Sequence, residues 1–514
     1  MLRVPQTVFL DCFDCIQHGF DESDRRKMGF SGSMQSVIGN HDITAGFDYN
    51  THEIRTYSVS PSVMIYAADS AYAVDTYGIT SYGDLESIPP WKMRVYADGF
   101  GYDLWGNEFD GDVKNYYSSV PGQTGMDTTF IDGAKKPTEM GFYIQDKMEY
   151  NDIIINAGLR VDILNPNEKT LNRPDSISIY QNSGYIKPDQ WTDLGSFTEI
   201  QPRIGVSFPV TDKTVVYGYY GKFAQLVDLY STYFTAYDYR NQIARGGYFY
   251  TNPVGFGLEP VRTTQYEVGF SQQFGQDLGI EVTGYFKDIR NLNSTKIVQS
   301  FVAGDRYGLY INKDYANSRG ITVAVSKRPR GPFSGNIDYT YSISEGNASD
   351  PAAAFYDEQA NIEPEKVLVP LDWDQRHTLN ATMTYHPIKN SGISVVASYG
   401  SGLPYTTEYI GVRTSFENNA REPATYNLDM RSYYNFILLN KFQISAHINI
   451  YNLFDTQNEL TVYNDTGRST YTLLPTYTPQ ISGPGFNTLD EYLVRPDFYS
   501  SPRQVKIGFS VSMK

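Results

Sequence analysis

The feature that most constrains the fold is a strict alternation of apolar and polar residues near the C-terminus. Between residues 442 and 450, apolar Phe, Ile and Ala alternate with polar Gln, Ser, His and Asn, and residues 504–513 repeat the pattern. A period of two places the apolar side chains on one face of a β-strand. Strands of about ten residues can cross a bilayer, whereas strands of soluble proteins are typically about five or six residues long. The pattern predicts membrane-spanning strands if the rest of the chain repeats it.

Segments with the same alternation recur along the chain, about fifteen in all, and their connections fall into two classes. Short turns such as Gly39-Asn40 and Asn151-Asp152 alternate with long connections rich in Tyr, Asn, Asp, Gly and Pro. The long connections cover about residues 60–137, 164–201, 223–261, 291–316, 345–374, 403–425 and 452–502. Transmembrane barrels have short periplasmic turns and longer outer loops. In a soluble sandwich, nothing requires short and long connections to alternate along the chain. The sequence therefore predicts an all-β fold, an antiparallel transmembrane β-barrel with long extracellular loops and short periplasmic turns.

The composition agrees with this prediction and argues against two other classes. No run of about 18 or more apolar residues occurs, which excludes transmembrane helices, and the pattern predicts no helix in the chain. A barrel hides its apolar residues at alternate positions, so a mean hydropathy of −0.42 is compatible with a membrane protein. The net charge of −16 argues against nucleic acid as a partner.

The parity of the connections also predicts the direction of the strands. The final strand follows a long outer loop, so it is expected to run inward and to leave Lys514 in the periplasm. Counting back, the first strand, near residue 27, also runs inward, whereas a complete barrel begins with an outward strand. We therefore expect residues 1–26 to be an irregular segment within an outer loop and residues 27–514 to be the C-terminal portion of a barrel.

The N-terminal segment carries two further features. Residues 1–20 lack the basic start, apolar core and cleavage site of a secretory signal. Cys12 and Cys15 are the only cysteines, with His18 nearby, and no second pair completes a four-ligand zinc site. We interpret the two cysteines as an incidental pair and predict neither a metal nor a cofactor.

Motifs along these strands resemble those of the C-terminal part of the barrel of TonB-dependent outer-membrane receptors. The chain is most similar to the large receptors of Bacteroidota-type bacteria that carry an N-terminal carboxypeptidase-regulatory-like domain, and the order and spacing of the motifs extend over residues 27–514. The motifs are Gly141-Phe142-Tyr143-Ile144-Gln145-Asp146-Lys147, Asn156-Ala157-Gly158-Leu159-Arg160, Pro202-Arg203-Ile204-Gly205-Val206-Ser207, Leu258-Glu259-Pro260, Thr264-Gln265-Tyr266-Glu267-Val268-Gly269, Asp374-Gln375-Arg376-His377, Gly402-Leu403-Pro404-Tyr405 and Asn452-Leu453-Phe454-Asp455. Two departures are visible. Val261 stands where family members usually have an acidic residue, and the chain ends on Met513-Lys514 rather than on an aromatic residue.

The resemblance implies uptake of a scarce nutrient across the outer membrane, gated by a plug domain and energised through TonB. Such barrels have 22 strands, so about fifteen strands imply that about seven lie outside the chain as given, with the plug, the TonB-contacting segment and the signal peptide. The expected partners are outer-membrane lipid, the missing plug and first strands, TonB through the absent N-terminal region, and a small-molecule, glycan or peptide ligand.

Candidate ligand contacts lie in the outer loops, where aromatic side chains with polar atoms are concentrated. We expect contacts at the mouth of the barrel from Tyr102, Trp105, Tyr248, Tyr250 and Tyr405; the alternative is that these loops pack on themselves. Carboxylates within residues 102–112 offer oxygen ligands for calcium but lack the spacing of a known calcium loop. The six histidines are scattered and no catalytic constellation is found, so the chain is not expected to be an enzyme.

Two alternatives remain open at this point. A passive porin-like channel would need a closed barrel and no plug. A secreted β-rich carbohydrate-binding protein or enzyme would explain the tyrosines, but it would need carboxylate pairs in a cleft and polar residues on both strand faces.

Overall fold

The structure, a computed structural model, describes residues 20–60, 88, 90, 93, 97–111, 113–119, 126–180, 185–225, 232–244, 252–255, 257–299, 306–362, 367–409, 412–438, 442–473 and 495–513. The predicted features at Cys12, Cys15 and His18 lie outside these residues. None of the helices in this part of the chain is long and apolar enough to cross a membrane.

Fifteen strands of 9 to 22 residues form one antiparallel sheet within the described residues, and each pairs with its neighbours in sequence. This confirms the predicted fold class and number of strands. The strands are β1 Phe20–Ile38, β2 His41–Val59, β3 Thr138–Tyr150, β4 Ile153–Asn165, β5 Phe197–Thr211, β6 Thr214–Gln225, β7 Val261–Phe274, β8 Leu278–Gln299, β9 Arg306–Lys327, β10 Phe333–Gly346, β11 His377–Tyr385, β12 Ser391–Gly400, β13 Thr425–Leu438, β14 Phe442–Tyr451 and β15 Gln504–Met513.

The connections between these strands alternate in length, as the sequence predicts. Tight turns include the one between β1 and β2 and the one between β3 and β4, where Gly39 and Asn151 have φ angles of 60° and 49°. This left-handed conformation is accessible to glycine and tolerated by asparagine. Because every strand is antiparallel to its neighbours, the tight turns share one end of the sheet, and the long connections share the other, which we call the loop end.

Three strand boundaries differ clearly from the sequence prediction. The connection expected over residues 291–316 is mostly strand, because β8 continues to Gln299 and β9 begins at Arg306. The cause is a bulge at Asn291, with φ 62°, which breaks the alternation before pairing resumes. Similarly, β1 begins at Phe20 rather than near residue 27. The charged residues 20–26 at its start pair with residues 53–59 of β2. These residues lie outside the segment in which alternation of apolar residues identifies a strand.

The expectation that the chain has no helix is wrong. Among the described residues, the helices α1 Ala236–Ala244 and α2 Ala353–Gln359 lie in the long connections. Both are too short for a periodic pattern to identify them securely. Three short segments join the main sheet at the loop end, and small two-stranded sheets cover other connections. These elements are Ala97–Phe100, Val254–Gly255 and Val369–Pro370 in the main sheet, and the pairs Val113–Ser119 with Met126–Asp132, Lys169–Leu171 with Trp191–Asp193, Pro404–Tyr405 with Ala420–Arg421, and Glu408–Tyr409 with Val412–Arg413.

The two faces of the main sheet differ in chemistry as the alternation predicts. On one face apolar side chains are exposed, including Leu159, Ile448 and Ile507, which is the arrangement expected where lipid replaces water. On the other face Arg160 Nη1 donates to Asp48 Oδ1 at 3.0 Å across two strands. Because ion pairs lie on this face, it is the polar face of the sheet, which we call the inner face.

Asp146 is the one charged residue that the alternation puts on the apolar face of β3. A charge on this face costs little close to the membrane interface. It lies five residues before the turn residue Asn151 in the chain, and its Oδ2 contacts His41 Nδ1, at the first residue of β2, at 2.7 Å. The carboxylate is thus paired at the end of the strand rather than left alone in the apolar band.

The first and last strands are the free edges of the sheet in the part of the chain that is described. β1 pairs only with β2, and β15 pairs only with β14. An open edge leaves backbone N–H and C=O groups without partners, which is costly where no water replaces them. These two edges are where further strands would join the sheet.

Candidate functional site

The apolar core of the described residues lies at the loop end, not between the membrane strands. The two larger clusters of buried side chains there differ in origin: the first comes from the end of β2 and the connection that follows it, and the second comes from two connections and the start of β9. The first outer cluster contains Tyr57, Val59, Ile88, Met93, Ala97, Tyr102, Leu104 and Ile131. The second outer cluster contains Leu171, Ile177, Ile186, Tyr239, Ile243, Val254, Tyr307 and Leu309. The long connections therefore form a packed layer that can hold side chains in fixed positions.

A buried arginine organises the loop of residues 97–111. The Arg55 side chain is 2% exposed, and its Nη2 contacts carboxylates of Glu53 and Asp110 at 2.5 Å each. Its Nη1 donates to the carbonyl oxygens of Gly101 at 2.7 Å and Phe109 at 3.2 Å. The Arg55 guanidinium lowers the pKa of the Asp110 carboxyl. Because one guanidinium group binds the Gly101 carbonyl and also Phe109 and Asp110 near the end of the loop, Arg55 fixes the path of the loop.

Tyr102 and Trp105, two of the predicted ligand contacts, are placed in this loop. Tyr102 is buried in the first outer cluster, with its ring 6.0 Å from that of Tyr57. Trp105 is partly buried against the same cluster, and its Nε1 donates to the Ile88 carbonyl at 2.9 Å. Both aromatic rings thus have a packing role, and their contact with a ligand stays a prediction.

The carboxylates considered for calcium in this loop have protein partners. Asp103 Oδ1 accepts hydrogen bonds from the backbone N–H groups of Trp105 and Asn107, both at 3.0 Å. Asp110 contacts Arg55, as described above. No three His, Cys, Asp or Glu side chains converge as metal ligands in the residues that the structure describes.

The other predicted contacts are at separate positions. Tyr405 is half-buried in a short strand that pairs with Ala420–Arg421, and its hydroxyl lies over Gly467, where an added Cβ would be 2.3 Å from it. Tyr248 and Tyr250 lie outside the described residues. Of the three predicted contacts that the structure describes, Tyr102 and Trp105 lie in one loop and Tyr405 lies in another connection, and the role of all five residues as ligand contacts stays a prediction.

A cavity of about 100 Å³ opens between three of the long connections; we call it the outer cavity. Its aromatic side is formed by Tyr185, Trp191 and Tyr239. The rings of Trp191 and Tyr239 are 5.2 Å apart at an angle of 64°, and the Tyr239 hydroxyl donates to the Gly255 carbonyl at 2.9 Å. Trp191 is half-buried, whereas Tyr239 is fully packed. The cavity wall is therefore rigid and aromatic on this side.

The opposite side of the outer cavity is charged. It includes the carboxylates of Asp132 and Glu168 and the side chain of Lys169. Lys135, which is not a lining residue, contacts both carboxylates, at 3.2 Å for Asp132 and 2.7 Å for Glu168. Burial alone would lower the pKa of Lys135, but the two carboxylates outweigh it, so the pKa is raised and the ammonium stays charged.

Helix α1 supplies Ala236 and Tyr239 to the cavity, and a pair of carboxyls holds its N-terminus. Thr235 caps the helix: its Oγ1 accepts from the Asp238 N–H at 3.0 Å, and Asp238 Oδ2 accepts from the Thr235 N–H at 2.9 Å. The Thr235 hydroxyl donates to Asp98 Oδ2 at 2.8 Å. Burial, together with the nearby Asp238 charge, raises the pKa of Asp98 to about 8. The raised pKa favours the protonated form of the Asp98 carboxyl, which reduces repulsion between Asp98 and Asp238.

Two of the sequence motifs are anchors at the loop end. Asp374 is fully buried and contacts Arg376 Nε at 2.8 Å, the guanidinium of Arg421, and the Ser344 N–H at 2.7 Å. One carboxylate thereby joins β10, the start of β11 and the short strand before β13. We call this set the Asp374 anchor.

The second anchor is the motif at residues 452–455. Asn452, with φ 52°, donates from Nδ2 to the carbonyls of Thr456 at 2.9 Å and Ser501 at 3.0 Å. Asp455 Oδ1 accepts from the Arg503 N–H at 2.7 Å. The motif therefore ties the two ends of the last long connection together where β14 ends and β15 approaches.

The residues of the outer cavity were not predicted from the sequence. Tyr185 and Trp191 come from the connection between β4 and β5, Tyr239 comes from the connection between β6 and β7, and Asp132 precedes β3. The available signal was the richness of these connections in aromatic residues, which identified the loops but not which side chains meet.

The comparisons with known proteins agree with this architecture. The family model described as TonB dependent receptor-like, beta-barrel matches residues 17–453. No curated protein sequence matches the chain. Among solved structures, the chain is similar to the outer membrane transporter YddB from Escherichia coli, with 12% identity and a TM-score of 0.49, covering 86% of this chain and 52% of that one.

It is also similar to the ferripyoverdine receptor of the outer membrane of Pseudomonas aeruginosa, with 12% identity and a TM-score of 0.49, covering 96% of this chain and 48% of that chain. The chain spans about half the length of the solved structures that it matches. Because the family model covers most of the sequence, the chain belongs to the TonB-dependent receptor-like β-barrel family.

Proposed function

We propose that the chain is the barrel portion of an outer-membrane receptor that takes up a nutrient with energy supplied through TonB. The observation that carries the proposal is the family match over residues 17–453 on a sheet whose long connections all share one end. In this arrangement the exposed apolar face contacts outer-membrane lipid, and the loop end faces the medium.

The inner face and the loop end then have separate tasks. The ion pairs of the inner face, such as Arg160 with Asp48 and Asp162, line an aqueous interior, where polar residues are favoured. The packed outer layer offers the first contacts to a ligand through the outer cavity, and contact by Tyr102, Trp105, Tyr248, Tyr250 and Tyr405 stays a prediction from the sequence, which for Tyr102 requires the first outer cluster to open. Family resemblance assigns gating to a plug domain and energy coupling to a segment that reaches TonB.

The free edges of β1 and β15 support a further part of the proposal. Closed transporter barrels of this type have 22 strands, and the main sheet of the described residues contains fifteen long strands. We infer that additional strands join the two edges and close the barrel. These strands, with the plug, are the partners that an intact receptor requires.

Binding and passage of the ligand, not chemical conversion, is the activity that this architecture supports. We therefore expect that ligand recovered from the receptor is chemically unchanged. Mass spectrometry of bound and released ligand tests this expectation directly, and a covalently altered product would contradict it.

Nutrient uptake in cells that carry or lack TonB tests the proposed function. Cells in which the gene has been deleted should lose uptake of one scarce nutrient from a panel of iron chelates, oligosaccharides and peptides, and should regain it when the gene is restored. Removing TonB should abolish the restored uptake. Uptake that continues without TonB would contradict the proposal and favour a passive porin-like channel.

A further inference from the structure

We propose that a groove on the exposed apolar face of the sheet binds a phosphate-bearing membrane lipid, with the acyl chain in the groove and the phosphate at Arg319. We call this face the outer face and this feature the outer-face groove. Strands β7 to β10 line it, with Val268, Gly284, Phe286, Arg319 and Ile321 among the lining residues. The inference goes beyond the proposed uptake function and rests only on the part of it that places the apolar face in the outer membrane.

A glycine opens the groove. Gly284 on β8 is paired with Val268 of β7 and with Ile321 of β9, whose side chains are 64% and 51% exposed. Among the described residues, only the Val268 carbonyl oxygen lies within 4 Å of a Cβ added at Gly284, at a distance of 3.8 Å. The glycine therefore leaves a recess between two protruding aliphatic side chains, and methylene groups of an acyl chain can enter it.

The groove has a charged end and an apolar end, in the order that a lipid requires. On β9, Arg319 lies two residues closer to the loop end than Ile321, and on the same face. The next outward residue toward the loop end is the polar Asn317, whereas Val323 and Val325 follow in the opposite direction. Arg319 is thus at the loop-end boundary of the apolar band, where a charge costs little. A lipid in the leaflet beside the loop end has its headgroup and its acyl chain in the same order.

The Arg319 guanidinium has donors left for a phosphate. Its Nη1 donates to Asn317 Oδ1 at 2.6 Å, and its Nη2 donates to Glu345 Oε2 at 3.0 Å, while the side chain stays 44% exposed. A guanidinium carries five N–H groups, so N–H groups remain for a further acceptor. Asp288, on the adjacent strand, contacts Arg290 at 2.9 Å. Arginine binds phosphate through parallel charge-assisted hydrogen bonds, which makes phosphate the headgroup chemistry that fits this end of the groove.

The set of ion pairs that includes Arg319 carries an excess of positive charge. Glu345 contacts Arg319 and lies 4.0 Å from Arg376. Arg376 also contacts Asp374, and Asp374 contacts Arg421. Three guanidinium groups are therefore joined to two carboxylates. An anionic headgroup at Arg319 offsets the remaining charge, whereas a cationic headgroup would add to it.

The headgroup provides the selectivity of the site, and the groove adds to the affinity. Lipid tails are as apolar as the side chains of the outer face, so packing in the groove gives only van der Waals contact. A charge-assisted hydrogen bond at the edge of the apolar band is stronger than the same bond in water, because the local dielectric constant is lower. We therefore expect tight binding only from a molecule that has both a phosphate and an acyl chain.

Two substitutions remove the two parts of the site separately. Gly284→Leu fills the recess, and Gly218→Leu is its matched control, because Gly218 is equally open and lies on the far side of Val268. Arg319→Gln removes the guanidinium, and Arg173→Gln removes the same charge from a side chain that is 74% exposed in the connection between β4 and β5. The intact receptor is purified in detergent, and native mass spectrometry measures the binding of dimyristoyl phosphatidic acid, dimyristoylglycerol and inorganic phosphate.

We expect phosphatidic acid to bind saturably, with an affinity that Gly284→Leu and Arg319→Gln each lower about tenfold and that the two controls leave unchanged; tenfold corresponds to about 1.4 kcal/mol. Dimyristoylglycerol and inorganic phosphate each have one part of the ligand and should bind at least about tenfold more weakly. Equal binding of phosphatidic acid by all four variants would overturn the proposal. Inorganic phosphate that binds as tightly as the lipid would also overturn it, because the site would then be one for a free anion.

The same preparations separate failure of this inference from failure of the proposed function. If uptake depends on TonB but phosphatidic acid binds no better than dimyristoylglycerol, the uptake function stands and the lipid site is wrong. If the lipid binds in an Arg319-dependent way but uptake ignores TonB, the lipid site stands and energised uptake is wrong. A membrane protein that copurifies with the receptor and is lost in Gly284→Leu, without lipid binding, would assign the groove to a protein partner and overturn the proposal.

Discussion

The membrane strands and the loop end of this protein are stabilised by different kinds of interaction. In the strands, backbone hydrogen bonds run between neighbours, and apolar side chains such as Ile448 and Ile507 are exposed on the outer face. At the loop end, buried apolar side chains form clusters, and charged residues such as Arg55 and Asp374 are buried with partners from elsewhere in the sequence. The strands therefore depend on the surrounding lipid, and the loop end depends on specific contacts within the chain.

The largest expected effect comes from breaking the Asp374 anchor. Asp374→Asn leaves the guanidinium groups of Arg376 and Arg421, which are 25% and 32% exposed, facing a neutral amide at a buried position, so the cost should lie toward the lower end of the range for buried pairs. Loss of one partner of a buried ion pair costs about 3–5 kcal/mol, so we expect the loop end to open while the strands persist. Limited proteolysis of the loops in outer membranes measures this opening.

The matched control for that change is Asp497→Asn. Asp497 pairs with Arg495 at 2.8 Å, but its side chain is 61% exposed, and exposed pairs contribute about 0–1 kcal/mol. Equal protease sensitivity of the two variants would contradict a special role for the Asp374 anchor.

A charge on the lipid face should have the next largest effect. Ile448→Arg places a guanidinium on the outer face of β14, where it costs about 2–4 kcal/mol near the bilayer centre. Asn449→Arg, one residue along on the inner face, should cost far less. Urea unfolding of the protein in lipid vesicles compares them, and equal losses would show that the two faces are wrongly assigned.

A smaller and local effect is expected at the Asn452 motif. Asn452→Ala removes the side-chain hydrogen bonds to Thr456 and Ser501 and puts alanine at a φ of 52°, with a combined cost of about 1–3 kcal/mol. Amide hydrogen exchange should speed up around residues 452–460 and 499–503. Unchanged exchange there would mean that other contacts hold this connection.

The smallest expected effect is a pH dependence confined to helix α1. The pKa of Asp98 is raised from 3.8 to about 8 in the folded protein, so the folded state binds the extra proton. Its contribution to docking of α1 is therefore complete below about pH 4 and is lost progressively as the pH rises toward 8. Exchange of α1 amides, corrected for the intrinsic rate, should quicken across this range.

Asp98→Asn should remove that pH dependence, because the amide stays neutral at every pH. Asp497→Asn, at the exposed pair, should leave it unchanged. A slope that persists in Asp98→Asn would assign the effect to another group.

The same contrast explains how much could be predicted from the sequence. Alternation of polar and apolar residues identifies β14 and β15, and the turn residues Gly39 and Asn151 locate the hairpins β1–β2 and β3–β4. These features could be predicted because they are local in the sequence. The extension of β8 and β9 was missed because the bulge at Asn291 interrupts the period. Trp191 and Tyr239 were missed because their contact joins two connections, and no pattern within either connection records it.

The most direct test of the account is the side of the membrane on which each end of the sheet lies. Cysteines are introduced singly into a protein in which Cys12 and Cys15 have been replaced by serine, at Arg173 and Glu358 of the loop end and at Asp152 and Asp212 of the short turns, all exposed. A maleimide that does not cross the outer membrane should label the first two positions in intact cells and the last two only after the membrane is permeabilised. Labelling of Asp152→Cys or Asp212→Cys in intact cells, with the loop positions protected, would contradict the account.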